Sequence, residues 1–441
     1  MIYSAMKKVI SDTALGGNRN MPEKIHIYYE GWGECWHWGT LASSTTLTGR
    51  PLILFEYSDE ALSKGVELSS YLLPLNETKL RKDFPAHQLG LPGPVYDALP
   101  DGWGMLLMDR LFKRNGLNPA RISPLVRLGY IGDKAMGAMS FRPVSLDDTG
   151  TPEEITLEKI AQDVQTVLDG EGGEFLQQLM LIGGSPQGAR PKVLLYRNPE
   201  TGVFSTAETA NLEAWLIKFP AQAEHPEVCA IEAVYSQCLR ECGISTPDTL
   251  HFNLPNGQAA FATKRFDRLN NMRVPMQSLA AFTGANYQSP GALDYANFLR
   301  ATQICTNDAR EKTSAFERAV FNVVFNNRDD HPKNFAYIMS AKGQWQLAPA
   351  YDVTFCEGPG GYHQMDIMGE ALHINRKVMV SLGVKEADLS PSAAENIIDR
   401  YCAVAEGFSH KAQSMFGNQI TKDTLQLIQG RINENINLLK A

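Results

Sequence analysis

The order of predicted elements in the middle third of the chain constrains the fold more than any other feature. A Gly-rich turn lies between short apolar runs, a lysine-bearing strand follows it, and a helix and a hairpin come next. The helix keeps the i, i+3, i+4, i+7 apolar spacing of one buried face, and the Asn-Gly pair of the hairpin tolerates positive φ. The predicted elements are strands at Leu179–Ile182, Lys192–Arg197, Ala214–Phe219, Thr249–Leu254 and Gln258–Arg265 and a helix at Glu227–Cys242.

The flanking segments complete a mixed α+β pattern. Residues 24–57 predict strands and residues 94–118 predict a helix. From about Ser314 onward helices dominate, and a capping box at Ser392–Glu395 predicts the start of one of them. The last predicted helix places its apolar residues between 425 and 439 on one stripe, which we expect to pack in the core.

The length and composition predict a soluble protein of more than one domain. A chain of 441 residues exceeds one ordinary core, so two or three domains are expected. A net charge of −8 gives no general attraction to nucleic acid. No apolar run approaches the roughly 18 residues of a membrane span. The seven cysteines are scattered without a Cys-x-x-Cys pair, so reduced thiols and a cytoplasmic location are expected.

The Gly-rich turn Gly183–Gly188 is a candidate phosphate-binding loop. Glycines let backbone N–H groups approach phosphate oxygens closely, because no Cβ intervenes. A Walker A loop is excluded because Ala189 stands where that motif requires Lys, and a nucleophile elbow around Ser185 is excluded because Gln187 replaces the second Gly. A glycine turn without a ligand is the alternative.

Lys218 lies in the otherwise apolar run Trp-Leu-Ile-Lys-Phe-Pro. A buried ammonium costs several kcal/mol unless it is paired, so this side chain either reaches water at an edge strand or meets an anion. We expect nucleotide phosphates and a helix carboxylate as its partners, with Glu232 as the leading candidate and Glu227 as the second. Lys192 is a weaker candidate for a phosphate contact.

Three oxygen-bearing side chains in the second half of the chain have the spacing of a protein-kinase active site. Asp329 is followed five residues later by Asn334, and Asp352 lies further downstream. In that pattern the first Asp accepts the proton of the substrate hydroxyl, and the Asn and the later Asp hold Mg²⁺ next to ATP. We therefore predict Asp329 as the base and Asn334 and Asp352 as metal ligands.

The neighbours of Asp329 receive separate predictions. Asp330 adds negative field beside the base, and Lys333 balances the charge of the transferred phosphoryl group. His331 is expected to make a structural hydrogen bond rather than to shuttle a proton. A plain surface turn is the alternative for the whole stretch.

Together these motifs resemble the HipA-type serine/threonine kinases, the toxins of bacterial toxin–antitoxin pairs. The resemblance covers about residues 50–440. It is carried by Gly184–Lys192, Leu216–Pro220, Lys264–Arg268, Asp329–Phe335 and Pro349–Asp352, and by Ala98–Gly104 in the N-terminal part.

The resemblance implies ATP, Mg²⁺ and a kinase-like fold of two lobes with an N-terminal α/β accessory domain and a mainly helical C-lobe. It also implies autophosphorylation of Ser185, which would disfavour ATP binding by adding negative charge. Lys264 departs from the family pattern, which has Glu at this position, two residues before Phe266. The implied nucleotide contacts are Gly184, Ser185, Gln187, Gly188, Lys192, Lys218, Glu232, Phe266 and His331.

The resemblance further implies partners and domains. The substrate would be a protein, with an aminoacyl-tRNA synthetase as one candidate, and a small helix-turn-helix antitoxin would contact DNA on behalf of the complex. No membrane partner is expected. The implied domains are a flexible extension (1–23), the accessory domain (24–150), the N-lobe with the glycine loop (151–270) and the C-lobe (271–441).

Two other functions remain open from the sequence. One is a degenerate kinase that serves as a binding protein or co-repressor with an antitoxin. The other is a kinase of similar fold that acts on a small molecule.

Overall fold

A computed structural model represents the protein and includes side chains. The predicted flexible extension, residues 1–23, lies outside the described residues, as does part of the region around the predicted boundary at residue 150. The structure describes residues 24–45, 51–75, 80–145, 154–170, 176–184, 186–209 and 211–441.

The chain forms two compact units. The N-terminal unit runs to Ala214 and also includes Asp267–Met276, and the C-terminal unit consists of Trp215–Phe266 and Gln277–Ala441. Both units combine strands with helices, and the C-terminal unit is mainly helical, so the predicted α+β fold class is confirmed. The four predicted domain boundaries remain predictions.

The N-terminal unit contains an antiparallel sheet of five strands. Alternate residues such as Ile25, Ile27 and Tyr29 are buried, as expected for a sheet with one face on a core. The strands, in their order across the sheet, are Leu80–Arg81, Pro51–Tyr57, Trp36–Thr45, Lys24–Tyr29 and Met139–Arg142. The helices of this unit are Asp59–Lys64, Gly93–Asp97, Gly102–Arg114, Pro124–Ile131, Leu157–Leu168 and Leu176–Gly183.

Two sequence predictions in this unit need correction. The helix predicted over residues 94–118 is divided into Gly93–Asp97 and Gly102–Arg114, and Pro100 lies in the break, where its missing N–H costs no helical hydrogen bond. The run Leu179–Ile182, predicted as a strand, belongs to the helix Leu176–Gly183. Residues 176, 179, 180 and 183 are buried at helical spacing, a pattern that a four-residue window cannot distinguish from a strand.

A smaller antiparallel group in the N-terminal unit follows the Gly-rich turn. Lys192–Arg197 pairs with Phe204–Ser205, which pairs with Glu154–Ile155. The strand predicted at Lys192–Arg197 is thereby confirmed. It fixes the downstream end of the Gly-rich turn.

The C-terminal unit contains three antiparallel strands, and Lys218 lies on one of them. Thr249–Asn253 pairs with Ala259–Lys264, which pairs with the strand Glu213–Lys218. The connecting turn has Asn256 and Gly257 at φ +60° and +72°, which confirms the predicted hairpin. The helix Glu227–Glu241 follows the lysine strand, and almost all of its middle residues are buried.

The remainder of the C-terminal unit is a helical assembly around one large core. A strand pair, Ala336–Met339 with Trp345–Leu347, follows Asn334 directly. The apolar stripe of the last helix is buried, as predicted. The helices are Leu279–Thr283, Tyr295–Thr306, Ala309–Val324, Arg376–Glu386, Pro391–Glu406, Phe408–Phe416 and Lys422–Lys440.

The predicted capping box at Ser392–Glu395 is wrong by two residues. Ser390 is the N-cap, and its hydroxyl accepts a hydrogen bond from the Ala393 N–H at 3.1 Å. Pro391 occupies the first helical position, where its fixed φ suits the helix and its missing N–H leaves no donor unpaired. Ser392 therefore lies inside the helix.

In the part of the chain that the structure describes, every helix is too short or too polar to cross a membrane. The seven cysteines form no disulfide there, and five of them are buried. Cys35 is exposed and Cys356 is half-buried, so the thiols differ in their access to solvent.

Candidate active site

Lys218 pairs with two carboxylates in the C-terminal unit. Its Nζ donates to Glu232 Oε1 at 2.5 Å and to Asp352 Oδ1 at 2.6 Å. Lys218 and Glu232 are both almost fully buried, whereas the Asp352 side chain keeps 36% of its exposure. Burial alone would lower the pKa of Lys218, but Asp352 and Glu232 outweigh it and raise that pKa above its usual value. The ammonium is therefore held in its charged form.

Local structure explains why Lys218 and Glu232 lie close together. Lys218 ends its strand opposite Phe261 of the neighbouring strand, and Glu232 lies in the second turn of the helix that follows. The predicted Lys218–Glu232 pair is present, and the second candidate, Glu227, instead accepts hydrogen bonds from the backbone N–H of Thr421 and the hydroxyl of Thr424. Its carboxylate is thus committed to the start of the last helix.

Asp352 adopts an uncommon backbone conformation. Its φ is +55°, in the left-handed region, where Asp and Asn are the non-glycine residues best tolerated. Such strain persists only where surrounding contacts fix it, and the ion pair with Lys218 is one such contact. The side chain is held at a defined position while part of it stays accessible.

Asp329 and Asn334 lie at the two ends of the segment Asp329–Asn334, called the 329–334 segment below. Asn334 Nδ2 donates to the backbone carbonyl of Asp329 at 2.6 Å. Because a carbonyl only accepts hydrogen bonds, this contact fixes which end of the amide faces Asp329 and leaves the Asn334 Oδ1 on the other side. An amide oxygen oriented in this way is a suitable metal ligand.

The Asp329 carboxylate is 45% exposed and accepts a hydrogen bond from Gln364 Nε2 at 2.8 Å. Burial is the largest influence on its pKa and raises it; the negative charges of Asp352 and Asp330 raise it further. His331 and the Gln364 hydrogen bond act in the opposite direction, and the net pKa is above the usual value for Asp. A raised pKa makes a carboxylate a stronger base once it is ionised.

Asp330 has a different role from Asp329. It is fully buried and accepts hydrogen bonds from Tyr295 Oη at 2.8 Å, His363 Nδ1 at 2.7 Å and the Gln364 N–H at 2.7 Å. A buried carboxylate with three donors is a structural anchor. It fixes the segment that carries Gln364, whose side chain reaches Asp329.

His331 and Lys333 contact the aromatic ring of Tyr287. Lys333 is buried, with Nζ 4.1 Å from the centre of that ring, and the ring of His331 lies 5.5 Å from it. His331 Nε2 lies 3.7 Å from Asp329 Oδ1, and within the described residues Nδ1 has no hydrogen-bond partner. The structural hydrogen bond that the sequence favoured for His331 is therefore absent at Nδ1. A positively charged His331 would instead favour the ionised form of Asp329.

Phe266 packs against Tyr351, with ring centres 5.4 Å apart. Tyr351 in turn donates its hydroxyl to the Lys333 carbonyl at 2.7 Å. Tyr351, the residue before Asp352, is thereby tied both to the 329–334 segment and to Phe266, a predicted nucleotide contact.

The Gly-rich turn belongs to the N-terminal unit. Ser185, the predicted phosphorylation site, lies outside the described residues. Gln187 Nε2 donates to the carbonyls of Asp97 and Leu99, and Lys192 Nζ donates to the Gln187 carbonyl at 2.5 Å. These two side chains hold the turn from within the unit, and the first residue of the turn, Gly183, is also the last residue of the helix Leu176–Gly183.

Sequence reasoning missed Gln364, His363, Tyr295 and Tyr287. None of them belongs to a local motif, since each reaches the 329–334 segment from a distant part of the chain. The one usable signal was the adjacent pair Asp329-Asp330. Two neighbouring carboxylates repel each other when both are ionised, so each of them needs its own hydrogen-bond donors or cations.

The side chains present fit a magnesium–nucleotide. The carboxylate of Asp352 and the oriented amide oxygen of Asn334 match the oxygen ligands that Mg²⁺ prefers, and a charged lysine fixed by Glu232 suits phosphate oxygens. Asp352 and Asn334 would hold the metal, and Lys218 would contact the phosphates.

Comparison with known proteins gives consistent matches along the chain. Residues 33–142 match the family model of the HipA N-terminal domain, and residues 184–407 match that of the HipA-like C-terminal domain. The HipA–HipB–operator DNA complex of the Shewanella oneidensis MR-1 toxin–antitoxin system contains a chain of similar fold. It is 17% identical, with a TM-score of 0.67, and the match covers 94% of this chain and 96% of that one.

A weaker match involves the Helicobacter pylori proinflammatory kinase CtkA. It is 12% identical, with a TM-score of 0.35, over 52% of this chain and 88% of that one. At that score it carries no inference about the fold.

Proposed function

The chain belongs to the HipA family, and from this we propose that it is a serine/threonine protein kinase that acts as the toxin of a bacterial toxin–antitoxin pair. The observation that carries the proposal is the double ion pair of Lys218 with Glu232 and Asp352. A buried lysine fixed by a helix carboxylate beside a candidate metal ligand is an arrangement that phosphoryl transfer requires.

Each residue has a proposed part in the transfer. Asp329 accepts the proton of the substrate hydroxyl, and Gln364 holds the Asp329 carboxylate in place. Lys218 contacts the α- and β-phosphates, Asn334 and Asp352 hold Mg²⁺, and Lys333 balances charge on the transferred group. When bound, Mg²⁺ neutralises phosphate charge.

We propose ATP as the phosphoryl donor and a protein hydroxyl as the acceptor. An aminoacyl-tRNA synthetase is the candidate target that the family resemblance suggests. The same resemblance suggests Ser185 as a site of autophosphorylation, which would weaken ATP binding by placing negative charge on the loop that receives phosphates.

The proposed partner is a small helix-turn-helix antitoxin that contacts DNA. Support comes from the similarity to the HipA chain of the HipA–HipB–operator DNA complex. The net charge of −8 is also unsuited to direct DNA binding by this chain.

The test is phosphoryl transfer by the purified protein from labelled ATP to proteins of a cell extract. We expect labelled proteins that require Mg²⁺ and disappear with Asp329→Asn, and mass spectrometry would then identify the phosphopeptides. Mg²⁺-dependent ATP binding without any transfer would instead identify a degenerate kinase. Label found only in small molecules would identify a small-molecule kinase.

A further inference from the structure

The segment Asp97–Gly104 of the N-terminal unit contacts the Gly-rich turn through several kinds of interaction. Gln187 Nε2 donates to the Asp97 carbonyl at 2.7 Å and to the Leu99 carbonyl at 3.1 Å. The Trp103 N–H donates to the Gly188 carbonyl at 3.1 Å. The Gly188 N–H donates to Asp101 Oδ1. Both backbone groups of Gly188 are therefore bonded to one short stretch of chain about 85 residues earlier.

The backbones approach so closely that only glycine fits. A Cβ on Gly102 would lie 2.6 Å from the Gly188 carbonyl oxygen, and one on Gly104 would lie 2.8 Å from the Gly184 carbonyl oxygen. Gly102 has φ +38° and Gly188 has φ +107°, values that other residues rarely adopt. The glycines of Ala98–Gly104 thus allow this close backbone contact. The sequence alone had not predicted what these glycines do.

The side chain of Asp101 accepts a hydrogen bond from outside its own helix. Asp101 is the N-cap residue of the helix Gly102–Arg114, where an Asp side chain ordinarily accepts a hydrogen bond from its own helix. Its side chain makes no such cap and accepts from Gly188 instead. The carboxylate is thereby used to hold the Gly-rich turn rather than to stabilise its helix.

We propose that Asp101 is a positioning residue that holds the Gly-rich turn ready for nucleotide phosphates. This inference rests on the proposed function of that turn. A loop that is already ordered loses less conformational entropy when the ligand binds, so it binds more tightly. Asp101 holds the Gly188 N–H, and Lys192, in the strand that follows the turn, holds the Gln187 carbonyl.

The test compares ATP binding and turnover in wild-type protein, Asp101→Ala and Asp101→Asn. Removal of the acceptor in Asp101→Ala should raise the Kd and KM for ATP about tenfold with little change in kcat. Asparagine keeps an acceptor oxygen, so Asp101→Asn should change the Kd by no more than about threefold. A purely structural role would not produce this split between KM and kcat or this recovery by Asn.

Asp109→Ala is the matched control. Asp109 lies on the same helix and pairs with Arg127 at 2.7 Å, so its loss removes a carboxylate without touching the turn. Hydrogen exchange without nucleotide supplies a second measurement, because the Gly188 amide should lose protection in Asp101→Ala and keep it in Asp109→Ala.

The outcomes separate the two proposals. If wild-type protein binds no ATP, the proposed function fails. If wild-type protein binds ATP and Asp101→Ala binds it equally well or more tightly, the positioning role of Asp101 is overturned while the proposed function stands. Equal weakening by Asp109→Ala and Asp101→Ala would also overturn that role.

Discussion

The Gly-rich turn and the cluster around Lys218 are held in place by different kinds of contact. At the Gly188 end of the turn, backbone hydrogen bonds of Gly188 and close approaches from residues 97–104 hold the chain, and the Gln187 side chain adds two hydrogen bonds. The cluster is fixed through charged side chains, with Lys218 between Glu232 and Asp352. Contacts between backbones require residues small enough to let the two chains approach closely, whereas contacts between charged side chains require that each charge has a partner. Substitutions in the two regions should therefore lower stability or activity for different physical reasons.

Substitution of Asp329, the proposed base, should show the largest effect, and we expect it to change the chemical step alone. Asp329→Asn keeps the shape of the side chain but removes its ability to accept a proton, so we expect kcat for phosphoryl transfer to fall by about 10³-fold. Transfer is measured with labelled ATP, and thermal unfolding checks the fold.

Asp399→Asn is the control for that substitution. Asp399 forms an exposed pair with Arg376, so its replacement should leave kcat unchanged. Wild-type kcat in Asp329→Asn would remove Asp329 from the role of base.

The buried lysine should show the largest effect on stability. Lys218→Met leaves Glu232 buried without its cation, and we expect the free energy of unfolding to fall by about 3–5 kcal/mol. Asp352 is less affected, since its side chain is 36% exposed and can be hydrated. Denaturant unfolding measures the change.

Two further variants sharpen this measurement. Lys440→Met breaks an exposed pair with Glu406, whose side chains are about half exposed, and should leave the free energy of unfolding nearly unchanged. The double variant Lys218→Met/Glu232→Met removes both buried charges and should recover most of the loss. No recovery would mean that packing, rather than the unpaired carboxylate, causes the instability.

The Gly-rich turn should respond to volume instead of charge. Gly102→Ala places a Cβ 2.6 Å from the Gly188 carbonyl oxygen and keeps φ at +38°. We expect the free energy of unfolding to fall by about 2–3 kcal/mol, since steric overlap adds to the backbone strain. Gly116→Ala has φ +74° with no atom within 4 Å and should cost only about 1 kcal/mol. Equal losses would mean that the contact with Gly188 contributes nothing.

Sequence reasoning predicted the charged cluster better than the turn, and the reason is physical. An unpaired ammonium in an apolar strand demands a partner, so the apolar run around Lys218 was enough to predict an anionic partner, with Glu232 as the leading candidate and Glu227 as the second. No comparable demand links Gly188 to Asp101. Both groups have several possible partners, and only the tertiary fold decides among them. The strand assigned to Leu179–Ile182 failed for a related reason, because four apolar residues fit either periodicity.

Asp329 and Asp330 show the same limit at two adjacent positions. The interval to Asn334 favoured Asp329 as the base, and the structure gives Asp330 full burial and three donors. Those donors come from Tyr295 and from residues 363–364, more than 30 positions away in each direction along the chain. Spacing could rank the two carboxylates, but it could not reveal what holds them.

Gln364 should show the smallest effect and the most specific one. Its side chain donates to Asp329 Oδ1, and this hydrogen bond lowers the pKa of Asp329 against the larger effect of burial, which raises it. Gln364→Ala should therefore raise that pKa further. Because the base must be ionised, the acidic limb of the kcat–pH profile should move to higher pH, and kcat on the plateau should fall about tenfold as the carboxylate becomes less fixed. Gln413→Ala, which replaces an exposed glutamine on the helix Phe408–Phe416, should leave the profile unchanged. A lower plateau with an unmoved acidic limb would show that Gln364 orients the Asp329 carboxylate without controlling its ionisation.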